Sequence, residues 1–102
     1  MKELHEAVLL LKKIPKGKVA TYKEMARVCA TSARAIGKIM ATNPDPKNFP
    51  CYKVVAYDGS LGGYSGRGGL KEKRRLLAKE GIRFEKGRVR EDHFHYFGNR
   101  GR

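Results

Sequence analysis

The sequence predicts a mainly α domain with small β elements, a winged-helix-like arrangement containing a helix-turn-helix. Three observations carry that prediction. Apolar residues recur at helical spacing in four short stretches, each bounded by Pro, Gly or a polar capping residue. The β-type runs between them are brief. A small basic hairpin pattern follows the last helix. A chain of 102 residues makes one domain with a modest core, and an apolar content of 40% is that of a globular protein. The expected boundaries are a single domain over 1–92 and a mobile basic tail over 93–102.

Leu4, Val8 and Leu11 share a helical spacing that Pro15-Lys16-Gly17 ends. Lys18-Val19-Ala20 reads as a brief strand. Thr21 and Glu24 form a T-x-x-E capping box ahead of a short helix carrying Met25 and Val28. Cys29 to Thr31 is a turn, and Ser32 caps a second helix through Ile36, Ile39 and Met40, stopped by Asn43-Pro44. This second helix presents Arg34 and Lys38. The pair has the outline of a helix-turn-helix, an outline that spacing alone shares with any other pair of short helices. Val54-Val55-Ala56-Tyr57 then reads as a buried strand and Asp58-Gly59 as a turn. The glycine-rich run from Gly62 to Gly69 fits neither a phosphate-cradling G-x-x-x-x-G-K-[ST] loop nor a dinucleotide-binding turn. It reads as a loop whose backbone passes close to protein or ligand. A helix from about Leu70 to Glu80 turns Leu76 and Leu77 inward and ends at Gly81. Ile82-Arg83-Phe84 and Arg88-Val89-Arg90 flank Lys86-Gly87 as the wing.

Charge narrows the function. Against 23 Lys and Arg stand 10 Asp and Glu, a net charge of +13, which implies a polyanionic partner, most commonly a phosphate backbone. A membrane surface is the rival, but the sequence has no basic amphipathic helix with large apolar residues opposite. The longest aliphatic run, Ala7 to Leu11, is too short for a membrane span or a signal peptide. Two cysteines make no disulfide scaffold in a chain of this length, so a reducing, cytoplasmic setting is expected. Within this cationic chain lies Phe49-Pro50-Cys51-Tyr52-Lys53. A thiolate is the strongest side-chain nucleophile near neutral pH, and positive surroundings favour it. Cys51 is therefore a candidate nucleophile on a polyanion, although a solitary cysteine is more often a small buried apolar residue.

These strings, in this order, resemble the DNA-binding, active-site domain of the O6-alkylguanine-DNA alkyltransferases. The likeness runs from about Pro15 to Val89. It rests on Pro15-x-Gly17-Lys18-Val19-Ala20-Thr21-Tyr22-x-Glu24, Ala33-Arg34-Ala35-Ile36-Gly37, Asn43-Pro44, Pro50-Cys51, Asp58-Gly59-Ser60-Leu61-Gly62-Gly63-Tyr64-Ser65-Gly66 and Leu76-Leu77-x-x-Glu80-Gly81. The resemblance implies a monomer that binds double-stranded DNA containing O6-alkylguanine, flips the base out of the stack and moves the alkyl group irreversibly to Cys51 without a cofactor. It makes Tyr22 the residue that rotates the phosphate and donates a hydrogen bond to the guanine ring. It places Ala33, Arg34, Gly37 and Lys38 on a helix in the minor groove, with Arg34 filling the vacated space. Backbone groups at Val54 and Ser65 would read the base, Tyr64 would wall the pocket, and Asn43 would brace the turn before the cysteine.

The chain departs from that pattern in three ways. Tyr52 stands where the family motif Pro-Cys-His-Arg-Val has a histidine, which contacts the cysteine through water and is oriented by a glutamate, here Glu80. A phenol of pKa about 10 is a poor proton acceptor at neutral pH, so Tyr52 and Glu80 are candidates for organising water by another route. Lys53 replaces arginine. The likeness takes in the DNA-binding half alone, as in the alkyltransferase-like proteins, which flip the base and recruit other repair factors. Those typically carry tryptophan in place of the cysteine, and this chain has no tryptophan. A single-use alkyltransferase with an altered relay is the reading Cys51 favours. A non-catalytic lesion sensor with repair-protein partners is the alternative, and a basic binder without lesion specificity is a third. Plainer roles stand beside each candidate: core cover for Tyr22, phosphate contact for Arg34, helix stop for Asn43, solvated acid for Glu80, buried spacer for Cys29. His93 and His95 share a face if their segment is a strand, yet lack matching ligands, so no metal site is expected.

Overall fold

The computed structural model describes residues 5–61 and 69–98. His5 opens the first helix, its Nδ1 accepting the Ala7 N–H at 2.9 Å. Helix α1 spans Glu6–Leu10 and tightens into a 3-10 turn over Leu11–Lys13. Strand β1, Ala20–Thr21, pairs in parallel with β2, Val54–Val55, Ala20 lying opposite Val54. Parallel neighbours need a long crossover. Helices α2, Tyr22–Cys29, and α3, Ala33–Ala41, lie within it.

Caps explain the helix pair. Thr21 Oγ1 accepts the Glu24 N–H at 2.9 Å, but the expected capping box is only half made. The Glu24 carboxylate is drawn away by the Arg27 guanidinium and the Phe97 N–H. Ala30, left-handed at φ 55°, closes α2, with the Thr31 N–H on Ala26 O and the Ala30 N–H on Arg27 O. Ser32 Oγ then accepts the Ala35 N–H at 3.0 Å and starts α3. The two helices are thus joined by the tight turn the sequence predicts.

Strand β2 is shorter than predicted. The chain folds back after Val55, with the Gly59 N–H on Ala56 O, and Tyr57 is 75% exposed. Helix α4 runs Gly69–Lys79 and ends on Gly81, whose φ of +92° allows the Ile82 N–H to reach Leu77 O. Leu77 is buried, while Leu76 is only half-buried. Strands β3, Phe84–Glu85, and β4, Arg88–Val89, form an antiparallel hairpin around Lys86-Gly87. The hairpin rests directly on the preceding turn: a Cβ at Gly59 would lie 2.5 Å from Val89 O.

Adjacent strand residues point to opposite faces, and that alternation divides the core. Ala20 and Val54 join Ala7, Leu10, Leu11, Met25, Ile36, Met40 and Cys51 on one side. Val19 and Val55 join Leu77, Ile82 and Val89 on the other. Residues 93–98, assigned to a mobile tail by the sequence, are docked instead. The Val19 N–H donates to His93 O at 2.8 Å and Val19 O accepts the His95 N–H at 2.7 Å. Phe94 packs on the second cluster and Phe97 on the first. Two aromatic rings and the otherwise open edge of Val19 hold the segment there.

Candidate active site

Asn43 organises the approach to the cysteine. Its Nδ2 donates to Phe49 O at 2.8 Å and its Oδ1 accepts the Asp45 N–H at 3.0 Å, stapling the two ends of the loop. Pro50 follows, and Cys51–Lys53 form a 3-10 turn with the Cys51 N–H on Phe49 O at 2.8 Å. Cys51 is 7% exposed, at the wall of a cavity of about 1010 Å³. Tyr22 and Lys23 at the start of α2 line the same cavity, as do Arg34 of α3 and Ala56-Tyr57 after β2. Ala33, Gly37 and Ala41, spaced four apart on α3, give it a smooth wall. A Cβ added at Gly37 would meet nothing within 4 Å.

A half-buried phenol and a buried ammonium lie beside Cys51. Burial, and secondarily the nearby Cys51, raises the Tyr22 phenol above its ordinary value. Lys73, fully buried on α4, donates from Nζ to Val54 O at 2.7 Å and Leu61 O at 2.6 Å. Its ammonium lies 5.8 Å from the centre of the Tyr22 ring. Burial pushes the Lys73 amine down to about 8, an effect that Cys51 partly opposes.

The next two residues turn away from the cavity into a closed polar knot. The Tyr52 hydroxyl donates to Glu80 Oε2. Glu80 Oε1 accepts the Gly17 N–H at 3.0 Å and lies 3.1 Å from Lys53 Nζ. Lys53, 3% exposed, also donates to Ile14 O at 3.1 Å and Pro15 O at 2.8 Å. Burial alone would raise the Glu80 carboxyl, but the bonds from Tyr52, Gly17 and Lys53 outweigh it and hold it below the usual range.

Of the predicted site residues, Cys51, Tyr22, Ala33, Arg34 and Gly37 meet around the cavity. Tyr52 and Glu80 meet in the knot, and Asn43 sits in the approach loop. Lys38 is exposed on α3, and Val54 is buried with its carbonyl taken by Lys73. Tyr64 and Ser65 lie outside the described residues. Lys53 is committed to the knot, and the buried ammonium near Cys51 is that of Lys73. The sequence reading passed over Lys73 within the run Lys71-Glu72-Lys73-Arg74-Arg75, although its spacing of four from Leu77 puts both on one helix face. Among the described residues no helix is long and apolar enough to cross a membrane.

The family of the 6-O-methylguanine DNA methyltransferase DNA-binding domain matches residues 4–82. The chain belongs to this family. A methylated-DNA–protein-cysteine methyltransferase of Pyrobaculum aerophilum is 49% identical over 79 residues, which are 78% of this chain and 52% of that protein. The chain thus spans about half the length of that methyltransferase. The structure of the O6-methylguanine-DNA methyltransferase of Pyrococcus kodakaraensis superposes with a TM-score of 0.68 at 42% identity, covering 76% of this chain and 44% of that one. The fold also matches S. pombe Atl1, solved in complex with damaged DNA containing O6-carboxymethylguanine, with a TM-score of 0.72 at 20% identity over 93% of this chain and 98% of that one. The family match stops at residue 82, so the hairpin and the docked segment after it lie outside the matched stretch.

Proposed function

We propose that this protein repairs O6-alkylguanine in double-stranded DNA by moving the alkyl group once, irreversibly, to its own Cys51. The observation that carries this reading is that Cys51, Tyr22 and Arg34, contributed by a turn and two helices, line one cavity. Exposed Arg34 and Lys38 on α3 supply phosphate and groove contacts, and the basic hairpin β3–β4 acts as the wing. Arg34 fills the space the flipped base leaves. Cys51 Sγ attacks the alkyl carbon, so that an S–C bond forms as the C–O bond breaks. Guanine leaves with the electron pair and takes up a proton, delivered through the Tyr22 hydroxyl, in exchange for the one the thiol gave up. No cofactor enters, and the protein works as a monomer. The names of its relatives support the chemistry; the cavity supports the residues.

The test is incubation with a duplex carrying a labelled O6-methyl group. At most one label per chain is expected, with the added mass on the Cys51 peptide. Label on Cys29, or several transfers per chain, would sink the mechanism. A second reading, a lesion sensor that recruits other repair proteins, draws on a specific observation: the Tyr52 proton is committed to Glu80, so residue 52 offers the thiol no base. Tight binding of the modified duplex without transfer would establish that reading.

A further inference from the structure

His93 lies beyond the family match, yet it reaches the polar knot. Its Nε2 accepts the Arg83 N–H at 3.0 Å, and its Nδ1 lies 2.9 Å from Gly17 O. A backbone N–H can only donate and a carbonyl can only accept, so these two partners select one form of the ring: neutral, with its proton on Nδ1. Its own backbone is fixed as well, by the 3-10 turn Glu91–His93 and by the Val19 N–H on His93 O. On the other side of Gly17, the peptide N–H donates to Glu80 Oε1, and Glu80 Oε2 takes the Tyr52 hydroxyl. Lys53 secures two carbonyls of the same turn, Ile14 O and Pro15 O. Gly17, left-handed at φ +82°, is therefore gripped from within by the site and from without by His93.

We propose that His93 is a positioning residue for alkyl transfer: its Nδ1–H holds Gly17 so that Gly17 presents its N–H to Glu80, which anchors Tyr52 and with it the turn that carries Cys51. The proposal rests on the alkyltransferase reading. A histidine that merely ties the hairpin to the body would use both ring nitrogens alike. One that positions the site acts through Nδ1.

Two substitutions separate these roles. In His93→Asn the side-chain amide N–H takes the place of Nδ1–H and keeps the bond to Gly17, while the Arg83 N–H loses its acceptor. In His93→Gln the amide oxygen reaches the place of Nε2 and keeps Arg83, while Gly17 loses its donor. Single-turnover transfer from an O6-methylguanine duplex should fall about tenfold in His93→Gln, the kinetic equivalent of one hydrogen bond lost from a charged network. Affinity for the duplex should not change. His93→Asn should stay within about twofold of wild type, although each variant loses one hydrogen bond. Equal rates in the two variants, or a slower His93→Asn, would overturn the proposal while wild-type transfer left the functional reading standing. A wild type that transfers nothing would overturn that reading and the proposal with it. Nitrogen-15 shifts of the wild-type ring at neutral pH give a check independent of activity. They should show the Nδ1–H form; the Nε2–H form would overturn the proposal.

Discussion

Cys51 and Tyr52 are neighbours in the chain and face opposite surroundings. The cysteine meets an open cavity walled by small residues of α3, with Tyr22 at its edge and the buried Lys73 ammonium behind the Tyr22 ring. The tyrosine meets a saturated knot, where one carboxylate takes a phenol, a peptide N–H and an ammonium. The first side holds an open cavity beside the candidate nucleophile. The second fixes three separate segments, the turn at residues 14–17, the cysteine turn and the end of α4, around Glu80. A one-residue step along a tight turn thus separates the side proposed for chemistry from the side proposed for positioning. It also places residue 52 where it serves the second task.

Perturbing each side should give effects of a different kind, and the largest is on the cavity side. Cys51→Ala should abolish transfer altogether while duplex binding persists, because binding is carried by α3 and the cationic surface; residual transfer in a labelled-duplex assay would relocate the nucleophile. On the knot side, Glu80→Ala leaves the Lys53 ammonium buried without its carboxylate, at a cost on the order of 3–5 kcal/mol in urea unfolding. The pH dependence has a definite sign. Because the folded carboxyl is held below its ordinary value, its stabilisation is complete above about pH 4.3 and is lost as pH falls through the folded pKa. The variant should lack that acid step.

Lys73 belongs to the cavity side, behind Tyr22, and its signature runs the other way. Its amine is pushed down to about 8, so between there and an ordinary lysine value near 10.4 the unfolded chain binds a proton that the folded chain has released. Stability should rise with pH across that window, by about 3 kcal/mol at 1.36 kcal/mol per unit. Lys73→Met should remove the rise, as the difference between two urea-unfolding series would show. The smallest effect expected sharpens the contrast between residues 51 and 52. Tyr52→His replaces the phenol on Glu80 by an imidazole, a base able to reach the thiol through water, and should raise single-turnover transfer near pH 7 by roughly 10-fold to 100-fold. A wild-type rate flat across neutral pH and unimproved by histidine would mean that the cavity side alone activates Cys51.

Much of this was legible in the sequence because it depends on local chemistry. Thr21 and Ser32 start helices by offering a side-chain oxygen to a peptide N–H three residues on, and Gly81 ends one by adopting a positive φ. The meeting of Cys51, Tyr22 and Arg34 followed from strings that resembled a family. What was not legible depends on packing between distant segments. Lys73 sits in a run of charges, and nothing local says that α4 lays that one ammonium over the carbonyl of Val54. The basic, polar composition after residue 92 reads as a tail because the value of Phe94 and Phe97 lies in surfaces supplied by other elements. Glu80 did carry a signal. An acid at a helix C-terminus opposes the helix dipole, so its presence there implies partners that outweigh that cost.

The docked segment has a consequence for how the molecule is made. Lys18 Nζ reaches Asp92 O across 74 positions of the chain, and the Phe97 N–H reaches Glu24 across 73. Closing a loop of that length costs about 4 kcal/mol of chain entropy, returned only when the aromatic residues and the backbone bonds at Val19 form together. As the chain leaves the ribosome, α1 to α3 can assemble as they emerge, but the Gly17 turn receives its histidine only after residue 93 is free. A chain emerged only as far as residue 92 would therefore hold Cys51 in a turn whose Gly17 brace still lacks His93.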